Sequence, residues 1–153
     1  MPTPGVGSMS KSEVIDFIKK SKAGVLCLID EDRPYAVPLE HFYHNNCLYF
    51  AVSAREDSRK LRCIRKNNRA CYVIYESRRE KPEMVKEGRM CRSIIVEGKI
   101  IPVAVKEIDV GNRKVKLQIL KLEMEKIGNW VCPLEECDMR PHILERRPDL
   151  LKP

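Results

Sequence analysis

Apolar residues recur at Val14, Ile15, Phe17 and Ile18 with the spacing of one helix face. Ser10 precedes this run and Glu13 stands three residues on, a capping-box signature that predicts a helix start. Ala23-Gly24 stops the helix near Lys22, and Val25-Leu26-Cys27-Leu28-Ile29 is a continuous apolar run of strand length. Asp30-Glu31-Asp32 then makes a polar hairpin turn. Two further strand-like runs, residues 34–43 and 46–53, are joined by a tight Asn45-Asn46 turn, so the three runs predict an antiparallel meander. Residues 57–66 read as a short helix with Leu61 and Ile64 on one face and Asp57 as its cap.

Residues 70–75 are a fourth strand, and residues 76–90 carry charge without an apolar period, which predicts an open loop. Residues 91–105 and 114–127 predict two long strands around the Gly111-Asn112 turn. Val115, Leu117 and Ile119 alternate, which favours strand over the helix that residues 117–125 could also form. Six short strands, nearly all antiparallel neighbours, with an N-terminal helix and a short helix after the third strand, predict a mainly β protein: a small antiparallel barrel with Greek-key features. Residues 1–8 read as a leader outside the fold, residues 9–128 as the barrel domain, and residues 129–153 as a cysteine-containing tail packing on the barrel through Trp130.

At 153 residues and 43% hydrophobic composition, the chain is long enough to bury a core as one domain. The formal net charge of +7 points to an anionic partner: nucleic acid, an acidic membrane surface or a phosphorylated cofactor. No apolar run approaches the roughly 20 residues that span a bilayer, and residues 1–8 lack the apolar core of a signal peptide, so the sequence predicts a cytoplasmic protein. The seven cysteines form no CxxC pair and lie mostly in apolar runs, the pattern of reduced, buried thiols.

Several polar residues carry candidate chemistry. Cys132, Cys137 and His142 could bind zinc or an iron centre, or pass electrons, although the cysteine spacing is wider than in ordinary zinc sites; the alternative is a packing tail. Cys63 is either a redox-active thiol beside basic residues or a buried, inert one. His41 and His44 fall on opposite faces of a strand, poor co-ligands for one metal, and read as surface or interface groups. Ser58-Arg59-Lys60 is the sharpest feature, because it places a hydroxyl and two cations in a first helical turn. A phosphate dianion takes short charge-assisted hydrogen bonds there from the arginine fork, the lysine and the unpaired helical N–H groups.

Three blocks together resemble the pyridoxamine 5′-phosphate oxidase-like FMN-binding split barrels, especially the branch with nitroimidazole-resistance proteins. They are Arg33-Pro34-Tyr35-Ala36-Val37-Pro38, Leu48-Tyr49-Phe50 leading to Ser58-Arg59-Lys60-Leu61, and Arg92-Ser93-Ile94-Ile95-Val96-Glu97-Gly98. The resemblance implies a split barrel that binds FMN at a homodimer interface, with Ser58, Arg59 and Lys60 on the phosphate. It also implies Val37, Pro38 and Leu39 beside the isoalloxazine, Phe50 and Ala51 flanking the ribityl chain, and Ser93 with Arg92 reaching over from the partner subunit. Ala51 stands where nitroimidazole-resistance members commonly have histidine, residues 98–111 lack their helical insertion, and the basic and aromatic C-terminal set of a vitamin B6 oxidase has no match.

The functional expectation is a flavin-dependent oxidoreductase of a small molecule, with Tyr35, Tyr43 and His41 as candidate proton donors. The alternatives are a non-catalytic flavin, deazaflavin or haem binder, or an electron-transfer protein. A nucleic-acid-binding barrel using Tyr43 and Tyr49 as a stacking platform ranks third.

Overall fold

The computed structural model describes residues 8–133 and 143–153. Helix α1, Lys11–Lys20, is capped by Ser10 with the reciprocal Glu13 bond, as the sequence predicts. Strands β1, Ala23–Asp30, and β2, Arg33–Glu40, form a hairpin through a turn in which Glu31 takes a φ of 61°. Strands β3, Phe42–His44, and β4, Cys47–Ser53, form a second hairpin. Its turn residues Asn45 and Asn46 have φ of 47° and 61°, the left-handed pair that matches strand twist and suits asparagine. Helix α2, Arg59–Lys66, strand β5, Arg69–Glu76, and the short helix α3, Glu83–Lys86, follow. The long strands β6, Arg92–Val110, and β7, Arg113–Val131, precede a last short helix, α4, Ile143–Arg146.

All pairings are antiparallel, in one sheet of order β2-β1-β5-β6-β7-β4-β3. The described residues therefore form seven strands, and the predicted three-strand meander is corrected. The run 34–43 divides at His41, its first part pairing with β1 and its second with β4 at the opposite edge of the sheet. One residue separates the two edges in the chain, so the sheet must curl round until they meet, and a barrel results. The alternation of half-buried positions Tyr35, Val37, Leu39, His41 and Tyr43 passes unbroken through this point, so a period of two carries no mark of the switch.

Inward positions fill the barrel: Leu26, Leu28, Leu48, Phe50, Tyr72, Ile74, Ile94, Val96, Ile100, Leu120 and Leu122 are all buried. Phe17 and Ile18 of α1 join this core at one end, and α2 adds Leu61, Cys63 and Ile64 at the other. Gly98 sits at a register shift between β6 and β7, where any Cβ would collide with the backbone carbonyl of Glu123. A bulge with so close a backbone approach explains the glycine.

Two local expectations change. Ser58, not Asp57, caps α2, its hydroxyl accepting from the Leu61 N–H; Asp57 instead forms an ion pair with Arg55 at 3.0 Å. Residues 76–90 are not an open loop, because α3 turns Met84 fully into the protein and Glu76 is buried under basic partners. A single methionine in a charged stretch gives no period, yet one buried side chain is enough to anchor it.

Candidate functional site

The phosphate candidate is built where β4 runs into α2. Ser58 has extended backbone and spends its oxygen lone pair on the Leu61 N–H, which leaves its O–H proton to donate outward. The helix that follows holds five cations, Arg59, Lys60, Arg62, Arg65 and Lys66, with no acid in its first turn. Arg59 lies with its guanidinium 4.0 Å from the Tyr35 ring centroid and its Nε donating to Asp30 Oδ2 at 2.8 Å. Tyr35 and Asp30 together orient the arginine and leave its terminal nitrogens outside the Asp30 bond. The hydrogen bond from Arg59 holds the Asp30 carboxyl below the usual carboxylate range, against the opposing effect of burial. Cys63, one turn into this helix, is buried, and desolvation with the nearby Asp30 charge pushes its thiol up, which makes it the inert alternative.

The remaining predicted residues fall in different settings. Val37 and Leu39 turn inward and pack on the core, while Pro38 points out. Because β2 is an edge strand, its backbone on the side away from β1 pairs with no other strand among the described residues. Phe50 is buried, its ring edge-on to Tyr72 at 5.0 Å, so that ring is committed to the core. Ala51 is exposed in an apolar groove of about 360 Å³ on the outer face of β4, lined also by Phe42, His44, Tyr49 and Ile119. This groove lies on the strand that leads to Ser58.

Arg92 and Ser93 begin β6 at the other end of the barrel. Arg92 stacks on the Phe17 ring at 4.0 Å and donates through Nε to Glu76 at 2.7 Å. Glu76 also takes Arg89 at 2.8 Å and Lys81 at 3.5 Å, at the wall of a polar pocket of about 430 Å³. Burial raises this carboxyl, but the hydrogen bonds and charges of Arg92 and Arg89 outweigh it and hold it net low. Given the register Cys27↔Cys71, the Asp30 end of β1 and the Glu76 end of β5 point in opposite directions. Arg59 and Arg92 are thus roughly 25 Å apart along the strands of one chain, at about 3.3 Å per residue.

Of the candidate proton donors, Tyr35 lies under Arg59, Tyr43 donates to Asn46 Oδ1 at 2.8 Å, and His41 is not a surface group but uses both ring nitrogens inside the fold. His44 remains exposed at the groove. Sequence reasoning missed Asp30, hidden in a polar turn, and Glu76, the one charged side chain buried among the described residues. Most described cysteines are half-buried rather than buried: Cys27, Cys47 and Cys71 occupy outward strand positions, and Cys91 and Cys132 lie just outside the ends of β6 and β7; Cys63 alone of the described cysteines is buried. Among the described residues no group of three or more His, Cys, Asp or Glu could hold a metal, and Cys137 and His142 lie outside them. No described helix is long and apolar enough to cross a membrane.

A curled antiparallel sheet with a helix at each end, carrying a hydroxyl and cations where β4 meets α2, defines a split barrel. The chain belongs to the pyridoxamine 5′-phosphate oxidase family, whose model matches residues 10–131. Among solved structures it is similar to an FAD-binding protein from Mesorhizobium loti, at 17% identity and a TM-score of 0.61, covering 82% of this chain and 97% of that one. It is also similar to an FAD-binding protein from Mycobacterium smegmatis, at 16% identity and a TM-score of 0.59, with coverage of 82% and 97%. A candidate 5-nitroimidazole antibiotic resistance protein from Bacteroides thetaiotaomicron shares 14% identity and a TM-score of 0.61, with coverage of 83% and 89%. No protein of curated function matches the chain in sequence. At these identities the structural likenesses establish the shared fold.

Proposed function

We propose that the chain is a flavin-binding protein that takes FMN at a homodimer interface and acts as an oxidoreductase of a small molecule. The observation that carries this reading is the α2 entrance, where Ser58 has a free O–H proton, Arg59 is already aimed by Asp30 and Tyr35, and Lys60 adds charge. This donor set fits a phosphate monoester. The apolar groove beside Ala51 and the free edge of β2 offer a flat ring an apolar surface and backbone groups to bond. Two neighbours are described as FAD-binding, and FAD carries the phosphate, ribityl chain and ring system of FMN within a larger molecule, which supports a flavin here.

The dimer is supported by two features. Ser58-Arg59-Lys60 and Arg92-Ser93 face opposite ends of one barrel, so one flavin meets both sets only if two chains contribute. Beyond Ile101, β6 has β7 as its sole strand neighbour among the described residues; it exposes Val103 and Val105 there, and past the end of the β4 pairing its tip becomes a two-stranded ribbon that exposes Ile108 and Val110. A two-stranded ribbon with apolar residues in water is marginal alone and is stabilised by a second copy.

Bound flavin would supply hydride and electron transfer. The protein's part is to hold the phosphate at α2, press the ring into the apolar groove and exclude water. No acid or base is committed to proton transfer in this reading, since His41, Tyr35 and Tyr43 are engaged elsewhere; His44 and Tyr49 are the polar groups left at the groove. The test is an absorbance spectrum of the full chain after incubation with FMN and gel filtration, with molar mass by light scattering. Retained flavin bands on a dimer support the reading, whereas loss of all flavin on a monomer overturns it. Oxidation of NADH or NADPH by the loaded protein separates an oxidoreductase from a passive binder.

A further inference from the structure

Cys27 on β1 and Cys71 on β5 are directly opposed partners in the barrel wall. Their neighbours Leu26, Leu28 and Tyr72 fill the core, so both cysteines stand on the outer face, half-exposed. Directly opposed residues of antiparallel strands hold their Cα atoms about 4.5–5.5 Å apart, within the range of about 4.4–6.8 Å that a disulfide spans. The two side chains project to the same side of the sheet. They line an open pocket of about 260 Å³ with Arg69 and Glu97, whose charges are partnered by Glu125 at 2.9 Å and Lys126 at 3.8 Å. The pairing that joins β1 to β5 is only three residue pairs long, Val25↔Val73, Leu26↔Tyr72 and Cys27↔Cys71, as short as the β3–β4 hairpin at the sheet edge, whereas the remaining pairings run through seven or more. The dithiol therefore ends the shortest pairing inside the sheet, away from its edges.

We propose that Cys27 and Cys71 form a redox-active cross-strand dithiol, oxidised to an intramolecular disulfide by low-molecular-weight disulfides. Cys27 thiolate attacks one sulfur of the small disulfide, forming a mixed disulfide and expelling one small thiolate. Cys71 then gives up its proton, attacks the Cys27 sulfur and expels the second. The two expelled thiolates take up the two protons that the cysteines lose, so dithiol plus small disulfide becomes protein disulfide plus two small thiols. Burial, together with the neighbouring Cys27, pushes the Cys71 thiol up to about 11. The raised Cys71 thiol favours Cys27 as the attacking sulfur and Cys71 as the resolving one. Oxidation would close the short seam covalently, and nothing in this step involves flavin.

The test is to treat the reduced, folded full chain with hydroxyethyl disulfide, block remaining thiols with iodoacetamide, and map the peptides. The expected product is a single linked pair of peptides containing Cys27 and Cys71, lost again on reduction with dithiothreitol. In Cys71→Ser the reaction should stop at the hydroxyethylthio adduct on Cys27, and in Cys27→Ser the modification of Cys71 should be at least tenfold slower. Full alkylation of both cysteines after oxidation, or a linkage that maps to other cysteines, overturns the site. Equal adduct rates in the two variants overturn the assigned order of attack. The wild-type map stands even if a variant fails to fold.

Discussion

The Nδ1 of His41 lies 2.8 Å from the hydroxyl of Tyr72, and this contact ties the point where the two sheet edges meet to the middle of the barrel wall. The same hydroxyl lies 2.8 Å from the Leu39 carbonyl, and His41 Nε2 lies 2.9 Å from the Ile18 carbonyl. A carbonyl can only accept, so Nε2 carries a proton. In the neutral ring Nδ1 is then an acceptor, and the single Tyr72 proton serves either Nδ1 or Leu39. A second proton on His41 would let Nδ1 donate to Tyr72 and free the phenol for Leu39, but burial of the imidazole lowers its proton affinity and favours the neutral ring.

The pH dependence follows in sign. The folded state depresses the His41 pKa below the ordinary value of about 6.5, so the unfolded chain binds more protons in that window. The contribution of His41 to stability is complete above pH 6.5 and is lost as pH falls through its folded value. Urea midpoints should fall between pH 7.5 and 5.5, and His41→Gln should flatten this slope. A slope unchanged by the substitution would exclude His41 as its source.

Tyr72→Phe keeps the ring that packs on Phe50 and removes the hydroxyl that both partners need. The expected loss is about 1–3 kcal/mol, read as a lower urea midpoint at unchanged slope.

Glu76→Gln removes the one carboxylate that Arg89, Arg92 and Lys81 share. Breaking a buried pair costs about 3–5 kcal/mol, and because Arg89 and Lys81 reach solvent the expected loss here is nearer to about 2 kcal/mol. Equilibrium denaturation at pH 7 measures it. The wild-type contribution, from a carboxyl held low, is present above pH 4.5 and lost on acidification through the folded value.

Arg59→Ala combined with Lys60→Ala should weaken FMN binding by on the order of 3 kcal/mol, more than a hundredfold in Kd, measured by flavin fluorescence titration. An unchanged Kd would remove the phosphate from the α2 entrance.

Gly98→Ala should destabilise the barrel by about 1–3 kcal/mol or more, because the new methyl meets the Glu123 backbone and not a movable side chain. Gly111→Ala probes a different cost: φ is 61° there and nothing lies within 4 Å of the added carbon, so only the backbone preference, about 1 kcal/mol, opposes it. Thermal unfolding of the two variants separates collision from conformational preference.

Much of the fold was legible from local signals. The Ser10-Glu13 capping box, the Asn45-Asn46 turn and the alternation on β7 each act between neighbours in the chain, and each appears in the structure. The divided third run was not legible, since His41 keeps the inward phase of its neighbours and its partners Ile18 and Tyr72 lie 23 and 31 residues away. At the candidate site, Ser58-Arg59-Lys60 stood out by residue type. Asp30 and Tyr35, which aim Arg59, did not, because their roles arise only when the β1–β2 hairpin packs against α2. The pairing of Cys27 with Cys71 needed the register of strands 44 residues apart.

The order of the strands also governs how the chain reaches this structure. The β1–β2 and β3–β4 hairpins form from neighbouring residues and emerge first during synthesis, yet they finish at opposite edges with β5, β6 and β7 between them. The first hairpin waits for β5, Arg69–Glu76, and the second waits for β7, Arg113–Val131. Folding is therefore dominated by contacts distant in sequence, which places the protein among slow folders, with the early half exposing unpaired strand edges while it waits.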